Sequence, residues 1–373
     1  MNNCFIVEQK GLFAILASMQ PICSKRTTLD ATTAILFHVG HKELTLKSTD
    51  LEISLQASCA IKESDVQESM TFLVSGRRIF DLVKELDNDI TFNITDTQLF
   101  LRSGAVNLSL NIKDSSEFPP FPERIENLMQ LDATFLLTML NKIAFIIPQN
   151  NANSSLNGLY LEIDSQELKM TATDGHCLAQ VRSNQCTLTE SRSWLLPRRA
   201  IFEVKKILES AKTDFVFLGT CGNQLVFSGE SFNFFTKLLN DTFPQYAGVI
   251  TKDTFTPASL DRSHFVKTLR RSSCLLSGQF IATHFIFNSQ ALRVSMRNKE
   301  VGTLEEEVPL HNFSGEGIDV RFYAPYLLNG LQAFSDDMIT FYLHNATKPI
   351  IFESQSDAYN LLYLVMPVAP THG

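Results

Sequence analysis

Asp174 and His176 stand two residues apart with Thr173 before them and Cys177 after, a set that offers an acid–base pair beside a hydroxyl or thiol nucleophile. On a strand, residues i and i+2 share a face and the pair is usable. Asp174-Gly175 reads equally well as a tight turn. No P-loop, no G-x-S-x-G and no dinucleotide fingerprint accompanies it. His38 and His41 are three apart, but nothing nearby completes a metal set. The seven cysteines, Cys4, Cys23, Cys59, Cys177, Cys186, Cys221 and Cys274, are odd in number, scattered and without a C-x-x-C pair. They point to neither a disulfide framework nor a zinc site, and read as small buried residues in a reducing compartment. No catalytic residue, metal or cofactor is expected, and a hydrolase screen with Asp174→Ala and His176→Ala controls tests that.

The pair sits in a stretch that the chain repeats. Leu44-Thr45-Leu46-Lys47-Ser48-Thr49-Asp50-Leu51 returns as Leu168-Lys169-Met170-Thr171-Ala172-Thr173-Asp174-Gly175, then more faintly as Leu292-Arg293-Val294-Ser295-Met296-Arg297-Asn298. The leading leucines are spaced by 124 residues both times. The apolar stripe Ile79, Phe80, Val83 and Leu86 recurs as Leu327, Leu328, Leu331 and Phe334 after 248 residues, twice that period. Its middle copy, Ile201, Phe202 and Leu208, is offset by 122. The other two copies carry Asp50-Leu51-Glu52 and Asn298-Lys299-Glu300, so the Asp–His pair itself is not repeated. A period this long excludes a solenoid of units of about 20 to 50 residues and implies three copies of a whole domain, 1–127, 128–256 and 257–373. Such a chain is a candidate piece of a symmetric object, with function residing in its shape.

With 44% hydrophobic and 19% charged residues the 373-residue chain is globular in composition. No apolar run reaches the ~18 residues of a membrane span, and Met1-Asn2-Asn3-Cys4-Phe5 lacks the basic start and apolar core of a signal peptide. A cytoplasmic location is expected. The net charge of −8 would argue against nucleic acid, until it is located. Amphipathic helices are expected over 8–26, 74–87, 132–151, 196–212, 261–278 and 322–337, among strands such as Thr91-Phe92-Asn93-Ile94-Thr95 and Phe215-Val216-Phe217-Leu218. The helical spans hold sixteen Lys and Arg against ten Asp and Glu, a surplus of six, leaving −14 on the rest. Any one charged helix face is ordinarily just solvated. Basic helices on a strongly acidic background imply one surface that faces a polyanion while the remainder repels it.

Ser48-Thr49-Asp50-Leu51-Glu52-Ile53, Leu156-Asn157-Gly158, Ala172-Thr173-Asp174-Gly175-His176, Pro197-Arg198-Arg199, Phe243-Pro244-Gln245-Tyr246 and Tyr363-Leu364-Val365-Met366-Pro367 stand in this order along nearly the whole chain. In these the sequence resembles the bacterial sliding clamps, the β subunits of DNA polymerase III. The resemblance implies an α+β fold of three repeated clamp domains, each with two helices on an inner face and antiparallel sheets on an outer face, in a head-to-tail dimeric ring. It implies a homodimer that encircles double-stranded DNA without reading sequence and tethers the replicative DNA polymerase, clamp loader and repair proteins, with no chemistry of its own. Helix dimensions agree with two copies. Six helices packed ~8 to 10 Å apart enclose a lumen of only about 8 Å, whereas twelve leave roughly 25 Å, enough for a duplex with a water layer. The alternative is a protein-binding scaffold without DNA encirclement.

A sliding tether cannot read base edges, since each good base contact is a trap of ~1 to 3 kcal/mol. It should meet phosphates through mobile cations, and Arg77, Arg78, Arg198, Arg199, Lys205, Lys267, Arg270 and Arg271 fit, with Arg26 after the first helix. Lys206, Lys212 and Arg262 add to the same helices. By resemblance, one dimer face uses Leu108 and Leu110 with Arg78, and the other uses Leu275 and Leu276 with Glu305, Glu306 and Glu307. Also by resemblance, partner peptides carrying a Gln and apolar anchors meet a pocket of Leu156, Thr173, Gly175, His176, Leu178, Pro244, Val249, Leu364, Val365, Met366 and Pro367. Cys177 and Gly248 stand where arginines are common in the family, which removes long stems that would cover an apolar peptide.

Overall fold

Each repeat lays down one order of elements: strand, helix, four strands, helix, three strands. The first contains β1 (Cys4–Val7), α1 (Gln9–Cys23), β2 (Ala34–Val39), β3 (Glu43–Thr49), β4 (Ile53–Ser64), β5 (Met70–Ser75), α2 (Gly76–Lys84), β6 (Ile90–Ile94), β7 (Gln98–Ser103) and β8 (Val106–Asp114). The second contains β9 (Glu126–Asp132), α3 (Ala133–Ile143), β10 (Gly158–Ile163), β11 (Leu168–Thr173), β12 (Cys177–Ser183), β13 (Arg192–Pro197), α4 (Arg198–Ala211), β14 (Phe215–Cys221), β15 (Gln224–Ser228) and β16 (Phe232–Lys237). The third contains β17 (Thr256–Asp261), α5 (Arg262–Ser273), β18 (Thr283–Phe287), β19 (Ala291–Asn298), β20 (Gly302–Pro309), β21 (Ile318–Phe322), α6 (Ala324–Leu331), β22 (Met338–Leu343), β23 (Ile350–Gln355) and β24 (Asn360–Val365). This computed structural model describes residues 3–23, 27–276 and 282–368. Leu44, Leu168 and Leu292 fall in β3, β11 and β19, the third strand of each repeat, and all three are buried.

Sheet continuity divides the chain differently from the repeat. One compact unit is Met1–Leu137 with Arg199–Leu238, and the other is Thr138–Arg198 with Leu239–Gly373. In the first, twelve strands run β1-β6-β7-β8-β5-β2-β3-β4-β16-β15-β14-β9, and an added β1–β4 pairing closes the first eight on themselves. In the second, eight strands run β13-β10-β11-β12-β24-β23-β22-β17 beside a four-stranded sheet β20-β19-β18-β21. The β16–β4 and β12–β24 ladders therefore draw half of the middle repeat into each unit.

Helices pack by narrow apolar stripes. On α1, Leu12, Leu16, Met19 and Cys23 lie at i, i+4, i+7 and i+11 and are buried, as are Ile79 and Val83 on α2, with Phe13 stacked on Phe80 at 5.7 Å. The helices are shorter than the stripes suggest. Leu86 and Phe334 are buried after α2 and α6 have ended, because the chain folds over the same core beyond the last turn. α3 gives way to a 3₁₀ turn at Ala144–Ile146 ahead of Pro148, whose ring denies the preceding residue a helical conformation. The side chain of Asp261 caps α5 by accepting from the His264 N–H at 2.6 Å.

Candidate nucleic-acid surface and partner pocket

The third and fourth strands of every repeat are joined by one turn. Asp50 Oδ1 accepts the N–H groups of Glu52 and Ile53 at 3.0 and 2.8 Å. Asp174 Oδ1 accepts those of His176 and Cys177 at 2.8 and 2.7 Å, and Asn298 Oδ1 those of Glu300 and Val301 at 2.9 and 3.3 Å. Asp and Asn serve here because a short side chain with an acceptor can close its own backbone turn. Leu51 and Gly175 follow at φ 74° and 93°, so glycine removes the steric penalty in the second copy that leucine bears in the first. The acid–base constellation at Asp174 is thereby accounted for as turn chemistry. The His176 ring stacks on Tyr326 at 5.6 Å, and the Cys177 thiol is pushed up to about 12 by burial first and by Asp174 second, far from a thiolate nucleophile.

That turn stands at one end of the β12–β24 ladder, wholly inside the second unit. The β12–β24 ladder sets Cys177 opposite Val365 and Leu178 opposite Leu364, and the Met366 N–H donates to the His176 carbonyl at 2.9 Å. Leu178, Leu364 and Ile351 form a small buried cluster against which Tyr246, Ile250, Phe255, Tyr342, Leu362 and Met366 pack half-exposed. Leu156 lies under Gly175, 3.8 Å from where a Cβ would be. Thr173 donates to the Cys177 carbonyl at 2.5 Å. Pro244 and Val249 are exposed on the 239–255 segment, which Phe243 pins by stacking on Tyr160 at 5.0 Å and Tyr246 by donating to Glu162 at 2.5 Å. Pro367 is half-exposed at the end of the same path. Val365 points the other way: with Cys177 it is buried on the opposite face of the ladder, as strand alternation requires.

The expected cations divide into tethered and free. Arg199 pairs with the fully buried Asp50 carboxylate and donates to the Pro21 carbonyl at 3.0 Å. Arg198 Nε donates to the Ile147 carbonyl at 2.9 Å, and Arg271 pairs with Glu306. Lys205 lies over the Phe202 ring at 5.5 Å, and its pKa is lowered by burial. Arg77 is 80% exposed with a loose 3.7 Å pairing to Asp81, and Arg78, Lys267 and Arg270 are exposed. Lys206 bonds Glu203 at 3.2 Å, and Arg262 Nε donates to the Asp336 carbonyl at 2.6 Å. Arg26 lies outside the described residues.

Residues 3–122, 130–245 and 248–369 match, in order, the N-terminal, central and C-terminal domains of the DNA polymerase III beta subunit. The chain belongs to that family. It is 24% identical over 369 residues to the beta sliding clamp of Pseudomonas aeruginosa, covering 98% of this chain and 99% of that one. A DNA polymerase sliding clamp from Bacillus subtilis has the same fold, with a TM-score of 0.91 at 21% identity over 99% of this chain and 100% of that one. A Bartonella birtlesii sliding clamp bound to griselimycin superposes with a TM-score of 0.89 at 24% identity, again over 99% and 100%.

Among the described residues of this beta-subunit chain β9, β13, β17, β20 and β21 end their sheets, and β8 is open along part of its length. β8 bonds β5 through Ile112, Lys113 and Asp114, so among the described residues 106–111 pair on one side alone, and Leu108 and Leu110 lie there half-buried. β20 ends its sheet and, among the described residues, pairs only with β19. Alternation exposes Glu305 and Glu307 but turns Glu306 inward, where Arg271, Thr268 at 2.9 Å and His264 at 3.3 Å hold it. Burial raises the Glu306 pKa, but these bonds outweigh it and the net shift is downward. Leu275 and Leu276 are half-buried after α5, and Arg78 is exposed on α2. Sequence alone did not single out Ile351, Tyr246 and Tyr342, which pack with Leu178 and Leu364, or Tyr326, which stacks on His176; their aromatic or apolar character is ordinary, and ladders joining distant strands bring them there.

Proposed function

We propose that this chain is a sliding DNA clamp: two copies close head to tail into a ring around duplex DNA and tether the replicative polymerase, with clamp loader and repair proteins as further partners. The reading rests above all on the exposed cations Arg77, Arg78, Lys267 and Arg270, on helices of the first and third repeats of a chain with net charge −8. Interactions of this kind are blind to sequence and weaken with salt, so retention comes from topology while each one stays weak enough to slide.

The open edges of β8 and β20 supply the closure. β8 of one copy pairs with β20 of the other, Leu108 and Leu110 meet Leu275 and Leu276, and Arg78 meets the exposed Glu305 and Glu307. Such interfaces join unlike faces, and a ring of two copies requires each copy to supply half a turn. Unprotected edges otherwise invite aggregation, which pairing between copies removes. We place the repeat boundaries after 127 and 256, and the partner-peptide site at the Leu178–Leu364–Met366 cluster with Leu156, Thr173, Gly175 and His176.

A primer-extension assay with the cognate polymerase and loader, run with a DNA trap so that each product reports one binding event, tests the function. The clamp should lengthen products several-fold; unchanged product length overturns the reading.

A further inference from the structure

The three repeat turns differ in what faces their second side-chain atom. In the first, the outer carboxylate oxygen of Asp50 carries the Arg199 guanidinium. In the third, Asn298 Nδ2 donates to the Leu275 carbonyl at 2.6 Å. In the second, the outer oxygen of Asp174 meets no cation among the described residues, although Asp174 is half-exposed in the turn that precedes the β12–β24 ladder. Repeat register explains the gap. Arg199 stands two residues before Ile201, and the residue two before Leu327, the third-repeat counterpart of Ile201, is Pro325. Cys177 beside the turn is apolar as well.

The uncovered charge is felt around it. Tyr326, Cys177 and Tyr363 all have pKa values raised by burial first and also by Asp174. Leu156 lies under the same turn, and two residues on, the His176 carbonyl accepts the Met366 N–H at 2.9 Å, at the end of the ladder that pairs Leu178 with Leu364. A carboxylate at the rim of an apolar site attracts a cation, and a flanking apolar surface accepts the methylene stem of lysine or arginine.

We propose that Asp174 sets the charge preference of this pocket, its outer oxygen pairing with a lysine or arginine that a docked partner segment carries beside its apolar anchors. The proposal rests on the reading of the pocket as a peptide site. A partner residue thus supplies here what Arg199 supplies to Asp50 within the chain.

Fluorescence anisotropy with the full-length protein tests it. One lysine is walked along a labelled peptide containing a Gln and two leucine anchors, and every lysine peptide is matched by its norleucine equivalent. At one position lysine should bind about tenfold tighter than norleucine at low salt, with the ratio shrinking as salt screens it. Asp174→Asn keeps the turn, since Asn298 forms the same one. It should bring the ratio close to one while the norleucine peptide binds as before. A lysine position that never exceeds its norleucine match, or a preference that survives Asp174→Asn, overturns the proposal and leaves the pocket standing. If no peptide binds the unaltered protein, the pocket reading falls and takes the proposal with it. Should Asp174→Asn weaken both peptides, the salt series on the unaltered protein decides: a lysine advantage independent of salt contradicts a charge pairing.

Discussion

Arg199 lies against the carboxylate of Asp50, 149 residues earlier in the chain, and ties the first turn of α4 to the β3–β4 turn and to the last turn of α1 through the Pro21 carbonyl. The Asp50 side chain is fully buried and the arginine 31% exposed. Removing one member of such a pair strands a buried charge, at a cost of about 3 to 5 kcal/mol. Arg199→Ala should therefore lower the denaturation midpoint well beyond what Arg77→Ala does. Chemical denaturation of the two variants checks this.

The same pair predicts a pH dependence. Burial raises the Asp50 pKa, yet the Ile53 N–H and the Arg199 guanidinium outweigh it, so the folded-state value lies below the ordinary one. A depressed carboxylate contributes stability above its unfolded pKa of about 3.9 and loses it as pH falls through the folded value. The stability gap between the unaltered protein and Arg199→Ala should thus be constant near neutrality and close below about pH 4. A gap still present at the acid end contradicts the assignment.

Much of the architecture was legible. A period of 124 survives in β3, β11 and β19 because each copy must bury the same strand and close the same turn. The helix ends were not, since Leu86 and Phe334 remain apolar for a core that outlasts the helices. Nor was the division of labour among cations. Arg198, Arg199 and Arg271 read like Arg77 until their partners Ile147, Asp50 and Glu306 are brought in by the fold. Along the sequence Glu305, Glu306 and Glu307 form one acidic group, and strand alternation separates Glu306 from the other two.

The free cations should govern DNA affinity. Replacing Lys267 and Arg270 by Ala should flatten the dependence of log K on log salt by about 0.9 for each phosphate that is no longer neutralised. Lys206→Ala, on a lysine held by Glu203, should change it less. Filter binding across a salt series measures both slopes.

Dimerisation should depend on the half-buried leucines. Leu275→Ala with Leu276→Ala removes apolar burial worth about 1 to 2 kcal/mol per side chain in partly buried settings, and raises the dimer Kd by at least about tenfold. Sedimentation velocity at low concentration should show monomer where the unaltered protein is still dimeric.

Thiol reactivity should follow burial. Cys274 is exposed, whereas burial pushes the Cys59 and Cys177 thiols up to about 12. Alkylation followed by intact mass at pH 8 should modify Cys274 well before either of them. A fast-reacting Cys177 would reopen a chemical role for the Asp174–His176 turn.

Retention on DNA tests the central account most directly. Protein loaded on a nicked circular duplex should stay bound through gel filtration at a salt concentration that abolishes direct binding. It should come off within minutes once a single restriction cut provides ends. Equal retention on circular and linear DNA, or none on either after loading, contradicts a closed ring threaded by the duplex.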